Sequence, residues 1–126
     1  TNDLSAYLAV PNAIQFQEEH NWTAVRAQCH ILLSQTMNQI GELTGLPSIY
    51  PPDNGFYHQM ATIPLPTLAN AEAFKAALLQ QFKVEVPIVT WNGRHFIRVS
   101  IQAYNTPQDV AVLLEALAVL LPIHQA

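Results

Sequence analysis

Arg98 stands inside an alternating stretch, His95 to Ile101, where Ile97, Val99 and Ile101 take one side. Phe96, Arg98, Ser100 and the following Gln102 take the other. Side chains along a strand alternate between faces, so the aliphatic set must meet a core and the arginine points away from it. A guanidinium is planar and matches a carboxylate with two parallel hydrogen bonds, so the chemistry on offer is recognition of an acid. A solvated surface arginine follows from the same pattern, because most arginines are exposed. Phe96 fits a wet face badly. It implies that the Arg98 face is partly covered by something absent from this chain.

The other reactive types are less organised. His20, His30, His58, His95 and His124 include no pair at i, i+4 and no spacing to cysteine that suits zinc, so no metal site is expected. The single cysteine, Cys29, lies on the apolar stripe of a helical pattern, which predicts an inert core thiol. It can form no intrachain disulfide, which fits a reducing cytoplasm. Ser5, Ser34, Ser48 and Ser100 lack a nucleophile-elbow context.

Charge narrows the partners. The chain carries a net −4, and its basic residues Arg26, Lys75, Lys83, Arg94 and Arg98 form no run. Nucleic acid and anionic membrane surfaces are therefore not expected as partners, since both need several clustered cations. The longest apolar stretch, Val110 to Leu121, is broken by Glu115 and reads as a buried helix, short of the roughly 20 residues of a membrane span. The opening Thr1-Asn2-Asp3 has no signal-peptide pattern and no initiating methionine, and it reads as the interior of a longer protein.

The elements that must position Arg98 follow from periodicity and punctuation. A short helix is expected over Pro11 to His20, then a long one capped by Asn21. Val25, Cys29, Leu32, Leu33, Thr36, Ile40 and Leu43 recur there at helical spacing, and Gly45 and Pro47 end it. Phe56 to Leu65 reads as a strand. Asn70 caps a third helix with Phe74, Ala77, Leu78 and Phe82 inward. Val84, Val86 and Ile88 form a second strand with Pro87 at an edge or bulge. Asn92-Gly93 is a strong hairpin signal, because both central positions of its turn need positive φ. Thr106-Pro107-Gln108-Asp109 opens the last helix, with Val110, Leu113, Leu114, Leu117 and Leu121 on its apolar stripe. Residues 1–126 are thus expected to form a single α+β domain. The architecture is a two-layer sandwich, a small mainly antiparallel sheet with helices packed on one face.

Ile97-Arg98-Val99-Ser100, followed by Ala103-Tyr104-Asn105-Thr106-Pro107-Gln108-Asp109, is similar to the C-terminal signature of the class V aminotransferase superfamily. Asp3 to Leu8, Gln59-Met60-Ala61 and Glu85-Val86-Pro87 resemble its isopenicillin N epimerase-like branch, in the same order along nearly the whole chain. The resemblance implies the C-terminal small domain of a fold-type-I enzyme that uses pyridoxal 5′-phosphate (PLP), usually a homodimer, acting on an amino acid or amine. It gives Arg98 the substrate α-carboxylate and gives Thr1 the cofactor phosphate, although the glycine that precedes that threonine in the family is not in this chain. Tyr104-Asn105-Thr106 is read structurally, with Thr106 capping the last helix and Asn105 shaping the turn that leads to it.

Other family parts are missing. Lys75 and Lys83 are the only lysines, and neither sits in a motif like that of the family's Schiff-base lysine. Gly41, Gly45, Gly55 and Gly93 are isolated and make no phosphate loop. The chain alone is therefore expected to bind no cofactor and to be inactive without the large PLP-binding domain of a parent chain. Sulfur transfer is disfavoured, because the loop that carries the desulfurase cysteine is here a tight turn. The alternative is a free-standing, non-catalytic α+β interaction module.

Overall fold

The computed structural model describes residues 3–51 and 55–126. Its elements run α1 (Ser5–Glu19), α2 (Trp22–Thr44), β1 (Met60–Leu65), α3 (Ala71–Phe82), β2 (Ile88–Trp91), β3 (Arg94–Ser100) and α4 (Pro107–His124). That is the expected order of elements, but several boundaries move.

The first helix begins at Ser5 rather than Pro11, where the Asp3 carboxylate accepts the Ser5 N–H at 2.9 Å. Pro11 sits inside it; proline's fixed φ is already helical, and the helix gives up one backbone bond to keep it. Asn21 is not a side-chain cap. It takes a left-handed conformation (φ 47°, ψ 52°) that separates α1 from α2, a conformation asparagine tolerates better than most residues. At the far end Gly45 (φ 69°) closes α2, donating its N–H to Gly41 at 2.8 Å.

The sheet is antiparallel throughout, in the order β1-β3-β2. β1 is shorter than expected, and Phe56 is exposed. β2 starts at Ile88, past the expected span from Val84. Pro87 offers no N–H to a ladder; instead its carbonyl accepts the Arg98 N–H at 3.0 Å. Val84 and Val86 still pack against the core as half-buried side chains, without pairing as strand. Asn92 and Gly93 both have positive φ (49° and 71°), which makes the β2–β3 hairpin tight.

Caps define the other helices. The Asn70 side chain accepts the Ala73 N–H at 2.9 Å at the start of α3. At α4 the Thr106 hydroxyl accepts the Asp109 N–H at 3.3 Å, and the Asp109 carboxylate accepts the Thr106 N–H at 2.7 Å. Thr106→Ala removes half of this reciprocal pair. It is expected to lower unfolding free energy by about 1 kcal/mol in urea denaturation.

The core is one cluster. Leu33 and Ile40 of α2, Ile97 of β3, Phe74 and Leu78 of α3 and Leu117 of α4 are each fully buried within it. By length and hydropathy alone α4 could cross a membrane, with a mean hydropathy of 1.4 over 18 residues, longer than the Val110 to Leu121 stretch noted in the sequence. Here its buried stripe, from Val110 through Leu121, lines this core. The other face of the sheet is open. It presents Met60 and Thr62 from β1, Arg94, Arg98 and Ser100 from β3, and Val89 and Trp91 from β2.

Candidate functional site

Strand pairing decides where Arg98 goes. β3 is the central strand; Thr62 lies opposite Arg98 on β1, and on the other side the Arg98 N–H is held by Pro87. Ile97 and Val99 are buried on the helix side, so the guanidinium projects from the open face, where it is exposed. Among the described residues it forms no ion pair and no side-chain hydrogen bond.

Phe96 corrects one expectation. Although it shares a face with Arg98, it is only 5% exposed. Its cross-strand neighbours are the buried Pro64 and the more exposed Val89, and the guanidinium carbon of Arg94 lies 5.2 Å from its ring centre. The chain covers Phe96 itself, so its burial requires no outside cover. Met60 (53%) and Trp91 (66%) are the most exposed apolar residues of that face among the described residues.

Beyond Pro87 the chain leaves β3, and a cleft of about 640 Å³ opens between residues 83–87 and the start of α4. Arg98, Ser100, Tyr104, Asn105 and Asp109 line it. The Asp109 carboxylate is already engaged with Thr106, and the Lys83 ammonium donates to the Gln80 carbonyl at 3.0 Å. Arg98 is therefore the cation there with its donors unused among the described residues, in the state an incoming carboxylate needs.

Asn105 holds the turn as expected, its side-chain oxygen accepting the Gln102 N–H at 2.8 Å. That turn pushes Tyr104 outward to 81% exposure at the edge of the cleft. Reading Tyr104 only as part of a structural turn missed this. The available signal was an aromatic between a strand end and a cap, with no place on either apolar stripe.

A larger cleft of about 790 Å³ lies beside the end of α2, lined by Ser34, Tyr50, Tyr57 and Pro64 among others. Glu42 is the one charged residue in its lining, the wrong sign for an acid. The histidines are spread through local contacts. His95 Nδ1 accepts the Leu68 N–H at 3.1 Å, His124 meets Phe74 edge-on at 5.6 Å, and His20 stacks on Phe16 at 4.1 Å. His30 and His58, far apart in sequence, come within 6.2 Å ring to ring. Among the described residues no three of His, Cys, Asp and Glu gather as a metal would require. Cys29 is 5% exposed in the core. Lys75 and Lys83 are exposed on α3 and at its end. Thr1, assigned by resemblance to a cofactor phosphate, lies outside the described residues.

No protein-family model matches the chain. It is 32% identical over 117 residues to isopenicillin N epimerase of Amycolatopsis lactamdurans, and 25% identical over 117 residues to isopenicillin N epimerase of Streptomyces clavuligerus. Each match takes in 93% of this chain but only 29% of the relative's length. Among solved structures, 8-amino-7-oxononanoate synthase from Francisella tularensis superposes on 84% of this chain and 30% of its own, with a TM-score of 0.62 and 19% identity. At that identity the likeness is one of fold. Over nearly its whole length, then, the chain is similar to a C-terminal domain of the class V aminotransferase superfamily, in its isopenicillin N epimerase-like branch.

Proposed function

We propose that this chain is the substrate-side small domain of a longer PLP-dependent enzyme acting on an amino acid or amine, and that Arg98 binds the substrate's α-carboxylate. The observation that carries this reading is the unused Arg98 guanidinium, projecting from the open sheet face beside a cleft. The relatedness to isopenicillin N epimerases supports it.

When bound, PLP supplies the electron-withdrawing ring that loosens bonds at the amino-bearing carbon. The large domain of the parent chain would hold it, with Thr1 directed at its phosphate and a homodimer as the assembly. This chain's own contribution is orientation. Two parallel hydrogen bonds from a guanidinium fix the carboxylate plane and hence which substrate bond faces the cofactor. Ser100 and Tyr104 line the cleft next to it. Epimerisation, lyase chemistry and transamination share this requirement, and the large domain selects among them.

The test is Arg98→Lys in the longer protein, assayed with its amino-acid substrate. Lysine keeps the charge but loses the planar fork, so KM is expected to rise or kcat/KM to fall sharply. Wild-type kinetics in that variant would remove the carboxylate role.

A further inference from the structure

The cleft beside the end of α2 gathers features of one electrical sign. A helix leaves the carbonyls of its last turn without intrahelical donors, and they carry the negative end of its dipole. The last turn of α2 holds no basic residue to offset them. Gly41, Glu42, Gly45 and Leu46, all from that end, line the cleft. Glu42 is exposed, and among the described residues its carboxylate has no ion pair and no hydrogen bond. Another wall is the outer edge of β1. Thr62, opposite Arg98, turns its N–H and carbonyl away from β3, as alternate residues of an antiparallel pair do. That N–H is already donated to the Tyr50 hydroxyl at 2.9 Å. The next outward position is Pro64, which has no N–H to offer. Along this stretch the edge therefore presents acceptors and no free donor. With its hydroxyl engaged, the Tyr50 ring is held against Tyr57, 5.0 Å between centres, as an aromatic side of the same cleft. None of the five basic residues lines it, and Arg98, across the strand pair from Thr62, lines the other cleft.

We propose that this cleft is a further binding site, taking a small organic ammonium ion with an apolar stem. Glu42 and the carbonyls at the end of α2 meet the charge. The Tyr50 ring and Pro47 take the stem, since an aromatic face attracts a cation as well as an alkyl chain. At about 790 Å³ the cleft falls within the size range of small-molecule sites, roughly 300–1,000 Å³. A hard metal ion would want several charged oxygen ligands, and Glu42 is the one carboxylate among the lining residues. The site stands apart from the role given to Arg98, which reads the opposite charge.

The experiment titrates n-pentylammonium chloride into the 126-residue chain and follows backbone amide shifts by NMR, with the matching alcohol and carboxylate as controls. Saturable shifts are expected at Glu42, Leu46, Ser48 and Thr62, the last because its N–H reports on Tyr50. The carboxylate should give none, and the alcohol should bind more weakly than the amine. Glu42→Gln should weaken the amine by about two- to fivefold, the size of one partly exposed charge pair, and leave the alcohol unchanged. Because Glu42 is exposed, that variant should fold as wild type does. Tyr50→Leu should weaken binding to a similar extent, whereas Tyr50→Phe, which keeps the ring, should not. Equal binding of amine and alcohol would reduce the cleft to an apolar hollow and overturn the proposal. An unchanged dissociation constant in Glu42→Gln would overturn it as well, and so would shifts that do not saturate or that fall outside this cleft. The titration is repeated in the longer protein. Binding there supports the site, and its loss there would mean that the cleft is covered in the parent and is not a site.

Discussion

Truncation of Arg98 to alanine in the longer protein is expected to lower kcat/KM for a carboxylate substrate by roughly ten- to a hundredfold, with Tm almost unchanged. The size follows from losing charge-assisted hydrogen bonds worth about 1.5–3 kcal/mol, at about 1.4 kcal/mol for each factor of ten. The unchanged Tm follows from the surroundings. Arg98 is exposed, and among the described residues its side chain has no partner to orphan, so stability should move by no more than about 0.5 kcal/mol. Lysine at the same position should recover part of the loss, because it restores charge without geometry. Converting the substrate carboxylate to its amide gives the deciding comparison. Wild type should lose most of its advantage over Arg98→Ala on the amide. An equal deficit on acid and amide would mean that Arg98 supports the fold or the cleft and does not read the acid.

Phe74→Ala should be the most damaging of the simple core truncations. The Phe74 ring is fully buried where α3 meets α4, with the His124 imidazole edge-on at 5.6 Å. Removing it leaves a cavity between elements held at both ends, so little collapse can compensate, and the expected loss is about 3–5 kcal/mol. Against a domain stability of about 5–15 kcal/mol, that is a shift visible as a large fall in the urea midpoint. The chain contains its own control. Phe56 is the same residue type at 73% exposure, and Phe56→Ala should change stability by no more than about 0.5 kcal/mol. Comparable losses at the two positions would contradict the core as described.

The features that point to Arg98 were largely legible in sequence, because local rules and the tertiary structure agree there. Asn92-Gly93 forces the hairpin, period two sends Ile97 and Arg98 to opposite faces, and Thr106 with Asp109 starts α4 where the capping pattern places it. The misreadings occur where one residue has two physical uses. Asn21 can cap a helix or adopt positive φ, and composition does not separate these; the structure uses the second. Pro11 suits a first helical turn but also tolerates the interior, so α1 extends back to Ser5. Val84 and Val86 alternate like a strand and are half-buried like one, yet the ladder begins only after Pro87. Phe96 was misjudged because its cover is a proline from a paired strand and an arginine two residues before it. Cross-strand neighbours of that kind are set by register, which no local pattern reveals.

The hold of Pro87 on the Arg98 amide has a kinetic side. With β1 paired along one edge of β3 and a proline carbonyl fastened to the other, the Arg98 main chain has little freedom left to lose. An arriving acid would freeze only the torsions of one side chain, about 0.5–1.5 kcal/mol of ordering, and no loop has to settle around it. Capture at this position should therefore be quick, with a rate set by diffusion and charge more than by rearrangement. Release would then be the step on which affinity depends. Amide exchange at Arg98 should likewise remain slow with or without ligand, because the side chain can change state while its anchor stays still.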